Sequence, residues 1–190
     1  MGADGPSYLR ERFRIKPQLL HYDMSIRIGI ITVSDRSSRG ERSDESGPAL
    51  VKAASQQGWQ ITRTAILPDE LDQLSATLAE WADSGEMDII LTTGGTGFSP
   101  RDITPEGTLA IIQRPTPGIA EAMRSTSLRI TPHAMLSRAM AGIRSQTLII
   151  NLPGSPKAAL ENLAVLIPVL PHAVQLLRDD PSAEIGHQVS

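Results

Sequence analysis

The chain contains no cysteine. That excludes disulfides, thiolate catalysis and cysteine-ligated zinc or iron–sulfur clusters, and it fits a reducing cytoplasm. Aromatic residues make up only 3%, too few for the stacking platforms that bind single-stranded nucleic acid. A basic excess is also missing. Lys and Arg total 18 against 21 Asp and Glu, for a net charge of −3, which argues against a general nucleic-acid binder. No apolar stretch approaches the ~20 residues of a membrane span. The longest, Leu163 to Leu170, is broken by Pro168. The N-terminus carries Arg10, Glu11, Arg12, Arg14 and Lys16 with no apolar segment behind them, so it is not read as a secretory signal. His21, His133, His172 and His187 show no metal-like pairing, and no histidine-based zinc site is expected.

What remains is an ordinary globular composition, 40% hydrophobic and 21% charged over 190 residues, enough for one domain with a substantial core. Residues 1–24 lack a sustained hydrophobic period and read as a mobile extension; Met24 directly precedes the first strand and is an alternative start. The domain is expected over residues 25–178, with a polar, loose tail over 179–190. No internal repeat is visible.

Within the domain, IRIGIITV from Ile26 to Val33 is β-branched and almost continuous, as in a central parallel strand. A helix starting at Ser46-Gly47-Pro48 carries Leu50, Val51 and Ala54 until Gly58 stops it. Trp59 to Leu67 reads as a second strand, and Leu71, Leu74, Leu78 and Trp81 mark an amphipathic helix. Asp88 to Thr93 is a third strand. Ile111 and Ile112 are assigned to a short helix, Ile119 to Leu128 to another. From Thr131-Pro132 a turn leads to Gly142 and Arg144. Thr147 to Leu152 is a buried strand, followed by a helix with Ser155 as N-cap and Pro156 at its first position, interrupted at Pro168 and Pro171. Such alternation predicts a three-layer α/β sandwich with a mostly parallel sheet.

Ligands in such folds bind outside the carboxyl ends of the strands. Four of those ends here carry suggestive residues: Ser34-Asp35, Pro68-Asp69-Glu70, Gly94-Gly95-Thr96-Gly97, and Asn151-Leu152-Pro153-Gly154-Ser155. The densest stretch is TTGGTGFSPRDITPEGT, Thr92 to Thr108. Glycine lets backbone N–H groups approach an anion closely, and Thr104 as N-cap, Pro105 and Glu106 then start a helix. Neither common phosphate motif fits. A dinucleotide fingerprint needs glycine where Pro100 stands, and a P-loop needs a lysine that is absent. The alternative is a tight strand-to-helix turn. Asp102 either caps backbone N–H groups or holds a divalent cation beside a phosphate. Asp69, in Pro-Asp-Glu before a helix, reads by spacing first as a helix-start residue. Arg101, Arg138, Arg144 and Lys157 lie near loops where they could screen phosphate charge, although singly such cations are usually solvated.

Taken together, TTGGTGFSPRDITPEGT, the earlier TVSDR and PDE, and the later LSRAMAGIR and TLIINLPGSPKA resemble one family, in the same order, from about Ile26 to Arg178. It is the molybdenum-cofactor biosynthesis family of bacterial MogA and MoaB and of the plant and gephyrin G domains. PHAMLSRAMAGIR and VLPHAVQLL are especially similar to the eukaryotic G domains. The resemblance implies a molybdopterin-binding fold, commonly trimeric and cytoplasmic, that transfers AMP from Mg-ATP to molybdopterin and releases pyrophosphate. A molybdenum-insertion protein would be its downstream partner. It also implies Mg²⁺, ATP and molybdopterin as the small molecules bound, and neither nucleic acid nor membrane.

By the same resemblance Asp69 and Asp102 match the functional aspartates and the Mg²⁺ partners, Asp102 foremost. Gly94, Gly95, Thr96 and Gly97 match the phosphate loop, and Ser137 and Arg138 the pterin side. Asn151, Pro153, Gly154 and Ser155 match the nucleotide-side strand end. Ser34, Asp35, Asp44, Ser46, Gly47, Thr104 and Glu106 match further binding positions. Gly107 departs from the pattern, which often has alanine there, and a slightly weaker helix start is expected. Two other readings are a molybdopterin-binding or scaffold module without catalysis, and the distantly similar domain of competence-damage proteins. The latter would bring an attached amidohydrolase domain for which this chain is too short.

Overall fold

The computed structural model describes residues 25–180; the readings of residues 1–24 and of 181–190 lie outside the described residues. Six strands form one sheet in the order β2-β1-β3-β6-β5-β4. β1 (Arg27–Val33), β2 (Gln60–Leu67), β3 (Ile89–Thr93) and β6 (Thr147–Leu152) run parallel. β5 (Ala141–Arg144) and β4 (Arg114–Pro115) close one edge antiparallel. The remaining elements are a single turn, α1 (Asp35–Ser38), then α2 (Ser46–Gln56), α3 (Leu71–Asp83), α4 (Thr104–Leu109), α5 (Pro117–Leu128), a short 3₁₀ helix (Pro132–Leu136), α6 (Pro156–Leu166) and α7 (Leu170–Leu177).

The two-residue period of the strands divides the core in two. Ile28, Ile30, Ile89, Leu91, Leu148, Ile150 and Leu152 face one layer, where α2, α5, α6 and α7 contribute Leu50, Met123, Leu163 and Val174. Ile31, Val33, Ile90 and Ile149 face the other, packed by Leu74, Leu78 and Trp81 of α3. Gly29 is what admits Trp81: a Cβ there would sit 2.5 Å from the Met87 sulfur and 2.9 Å from the Trp81 ring. The fold is therefore the three-layer α/β sandwich that the sequence predicts.

Three local readings change. Thr104 is not a cap: Ile103 takes that position, and the buried Thr104 hydroxyl donates to the Gly94 carbonyl at 2.8 Å. Ile111 and Ile112 follow α4 rather than belong to it, and pack on the second core layer. Residues Ala141–Arg144, read as turn, are a strand, because they pair with β6 through a hairpin whose Ser145 adopts φ 53°. Ser155 does occupy the cap position of α6, but its side chain makes no capping bond. Gly107 has a packing role: a Cβ would come 3.0 Å from Leu74, so glycine lets α4 lie close on α3.

The parallel register puts the carboxyl ends of β2, β1, β3 and β6 side by side. The chain leaves β1 toward β2 and then returns to β3 on its other side, so a topological switch point falls beside β1. The glycine loop emerges there.

Candidate active site

Chain segments meet at the strand ends so tightly that two positions require glycine and a third leaves little room for anything larger. Gly94 (φ 104°) and Gly95 (φ 62°) lie in the left-handed region. A Cβ on Gly94 would strike the Val33 carbonyl at 2.3 Å, and one on Gly95 the Thr104 hydroxyl at 2.4 Å. A Cβ on Gly154 would approach the Gly94 Cα to 3.1 Å. The Gly94 N–H donates to the Leu152 carbonyl. Those of Gly95, Thr96 and Gly97 have no acceptor among the described residues, and three unpaired donors at a bend suit an anion.

The loop is held from outside by Arg138. Its N–H pairs with the Thr96 carbonyl, Nε with the Gly97 carbonyl at 2.6 Å and Nη2 with the Asp102 carbonyl at 2.5 Å; Nη1 pairs with Glu106. Arg138 and Glu106 thus lie on the outer side of the loop, beside Phe98 and Pro100. Asp102 accepts the Ser99 N–H at 2.8 Å through Oδ2, which closes the Ser99–Asp102 turn.

On the inner side, Asp35 and Asp69 exchange bonds. The Asp35 N–H donates to Asp69 Oδ2 at 2.8 Å, and the Asp69 N–H to Asp35 Oδ1 at 3.1 Å. Arg101, within that same turn, grips Asp35 side-on at 2.9 and 3.0 Å and reaches Glu70 at 2.8 Å. Hydrogen bonding to Arg101 holds the Asp35 carboxyl below its ordinary range, and the same partners raise Arg101 further. Asp69 shifts the other way: burial raises it, and the nearby charges of Asp35 and Asp102 add to that rise. Asp44 serves α2, accepting from the N–H groups of Ser46 and Gly47, the Ser46 hydroxyl, and Thr32 Oγ at 2.7 Å. Gly47 is needed for that cap, since a Cβ would lie 2.4 Å from the carboxylate.

These groups border a cleft of ≈ 580 Å³ into which Ser34, Asp35, Asp44, Ser46, Asp69, Gly94, Gly95, Asp102, Gly154 and Ser155 all project a surface. A second, more apolar-walled cleft of ≈ 290 Å³ lies across the loop, bounded by Thr96, Gly97, Ser137 and Pro153 together with Arg124 and His133. The glycine loop is the wall between them. Asn151 lies beneath rather than within: it is fully buried, and its amide donates to Thr92 Oγ at 3.0 Å and Thr108 Oγ at 2.8 Å. Thr104 and Gly47 are likewise buried framework.

Sequence reasoning passed over Arg36, Arg39 and Arg42, which border the larger cleft. Their signal was there: three arginines at a spacing of three in the polar run after β1. It read Arg101 only as a loop cation that could screen phosphate, because its partners Asp35 and Glu70 are distant in sequence.

No three or more Asp, Glu, His or Cys side chains cluster as a closed metal cage among the described residues. Asp69 and Asp102 nevertheless fit Mg²⁺, which takes one or two carboxylates and completes its shell with water and substrate phosphate.

An open α/β sheet with a glycine-rich loop at its switch point and carboxylates on the adjoining strand ends is the arrangement of a ligand-binding α/β domain. Within that class the family is identifiable. Residues 29–172 match the family described as probable molybdopterin binding domain, and the chain belongs to it. A gephyrin of Dictyostelium discoideum is 46% identical over 83% of this chain, which spans only 23% of that relative's length. The molybdopterin adenylyltransferase of Helicobacter pylori strain J99 is 43% identical, with 80% of this chain and 88% of the relative aligned. The crystal structure of the molybdopterin biosynthesis enzyme MoaB from Thermus thermophilus superposes with a TM-score of 0.77 at 47% identity, covering 82% of this chain and 98% of that one.

Proposed function

We propose that this protein is a molybdopterin adenylyltransferase, a nucleotidyltransferase of molybdenum-cofactor biosynthesis. The observation that carries the reading is the pair of clefts sharing the Gly94–Gly97 wall. A binder of one ligand needs one cleft; a group transfer between two anionic substrates needs two whose phosphate ends meet. Relatives named molybdopterin adenylyltransferase at 43% identity support it.

In this reading ATP occupies the larger cleft and molybdopterin the smaller, beside Ser137. An oxygen of the pterin's terminal phosphate attacks the α-phosphorus of ATP. The new P–O bond forms as the bond from the α-phosphorus to the bridging oxygen breaks, and pyrophosphate departs with that electron pair. The nucleophile is already an anion, so no general base is needed. The barrier is bringing two anions together in line, a matter of positioning and electrostatics. The free N–H groups of Gly95, Thr96 and Gly97 supply fixed donors at the meeting point. Asp69 and Asp102 would hold Mg²⁺, which supplies charge neutralisation to the phosphates when bound. Ser34, Asp35, Ser46, Gly154 and Ser155 shape the nucleotide side; Asp44, Thr104, Glu106, Arg138 and Asn151 hold the loops that carry it.

A homotrimer, a cytoplasmic location and hand-over to a molybdenum-insertion protein complete the proposal, on the family resemblance; sedimentation or light scattering tests the trimer. The deciding experiment incubates the protein with molybdopterin and Mg-ATP and assays adenylylated pterin and pyrophosphate. Both are expected from the wild type and neither from Asp102→Ala. Pterin binding with no product in the wild type would replace the transferase by a scaffold.

A further inference from the structure

The larger cleft is lined by charge of both signs. Asp69 and Asp102 border it beside the glycine loop, while the stretch from α1 to the start of α2 contributes Arg36, Arg39 and Arg42 together with Asp35, Asp44 and Glu45. Of these carboxylates Asp35 is held by Arg101 and Asp44 by Thr32 and the start of α2. Of the arginines that border it, Arg101 is already held by Asp35 and Glu70, and Arg39 is forked onto Glu41 at 2.7 and 3.1 Å. The guanidinium groups of Arg36 and Arg42 have no ion-pair or hydrogen-bond partner among the described residues, and both are exposed.

A nucleoside triphosphate is strongly anionic along its phosphate tail, and Asp69 and Asp102 repel it unless a cation lies between them. Its orientation in the cleft is therefore set by where positive charge stands. Donors of the glycine loop and a carboxylate-bound cation favour the α-phosphate beside the loop. That leaves the β- and γ-phosphates to the unpaired arginines of the stretch from α1 to α2, whose planar N–H forks match phosphate oxygens. We propose that Arg36 and Arg42 are positioning residues for the β- and γ-phosphates, and so for the pyrophosphate that leaves. They distinguish a triphosphate from a monophosphate in this cleft. The inference rests on the transferase reading. In the transfer step negative charge accumulates on the bridging oxygen as it departs with the bonding electrons, and cations on the pyrophosphate side stabilise that charge.

The test measures binding of a non-hydrolysable Mg-ATP analogue and of AMP to the full chain by calorimetry, in the wild type, Arg36→Gln, Arg42→Gln and the double variant. Both side chains are exposed, so the fold is expected to survive, as circular dichroism would verify. Each substitution is expected to weaken the ATP analogue about fivefold and AMP less than about twofold. Arg42→Lys should restore part of the loss, and the wild-type preference for triphosphate should shrink with added salt. A merely structural role would move both ligands equally. Analogue affinity unchanged in the double variant, or equal losses for analogue and AMP, overturns the inference while leaving the transferase intact. A wild type that binds neither nucleotide overturns both.

Discussion

Gly95 and Asp69 show how little room the site has at the scale of single residues. Gly95 needs φ 62°, and a Cβ there would press the Thr104 hydroxyl at 2.4 Å and Asp69 Oδ1 at 3.1 Å. Gly95→Ala should cost about 1–2 kcal/mol of stability, measurable by denaturant titration, with transferase activity lost far out of proportion because the loop donors and Asp69 are displaced together. Asp69 also makes a pH prediction. Burial raises its carboxyl above the ordinary aspartate range. Only the ionised form can hold a cation, so activity should fall on acidification at a pH above that range. Stability runs the opposite way. A raised carboxyl contributes stability that is present below its unfolded value and lost as pH rises through the folded one. Asp69→Asn should therefore raise Tm at neutral pH, give no rise in strong acid, and lower activity at least about a hundredfold. A neutral-pH Tm below the wild type would contradict the burial argument. The residues of this site were readable as types in the sequence. Their states of charge were not, because those depend on neighbours far away along the chain.

At the scale of elements, one buried carboxylate binds three of them. Asp88, at the entrance to β3, is 3% exposed and accepts from the backbone and side chain of Arg27 in β1 and from Arg178 after α7, at distances from 2.5 to 3.2 Å. These bonds overcome the burial penalty and hold its carboxyl below the ordinary value. The stability they confer is thus present above the unfolded value and lost as pH falls through the folded one. Asp88→Ala removes the acceptor shared by the Arg27 backbone and two guanidinium groups and should cost about 1–3 kcal/mol, read from urea unfolding, without changing the assay on the remaining folded protein. Gly29→Ala should cost about 1–3 kcal/mol by overpacking, since a Cβ 2.5 Å from the Met87 sulfur and 2.9 Å from the Trp81 ring forces those buried side chains to shift. The buried strands β1, β3 and β6 were legible from their continuous apolar runs. β4 and β5 were not, because Ala141–Arg144 becomes a strand only by pairing with β6. Thr104 was misassigned because cap and framework hydroxyls look alike until Gly94 is seen beside it.

For the whole molecule, ligand binding and stability should be linked. Mg-ATP that binds only the folded protein adds unfolding free energy in proportion to the logarithm of its concentration, about 2.7 kcal/mol at a hundred times Kd, and raises Tm accordingly. Chelation with EDTA should remove most of that rise together with all transfer activity, leaving the fold itself unaffected, since the closed metal cages that support folding are absent among the described residues. A Tm response to ATP undiminished by EDTA would separate the nucleotide site from Asp69 and Asp102. By itself the sequence determined the alternation of strands and helices, and through it that four strand ends would share one edge. It also carried the family in its glycine, aspartate and arginine motifs. Only the tertiary structure decided which of those groups border the two clefts and which are consumed within. Asn151 bonds to Thr92 and Thr108, and Arg101 to Asp35. Those partners lie tens of residues apart, and hydrogen bonding selects them by ångström-scale proximity, which spacing along a chain does not specify.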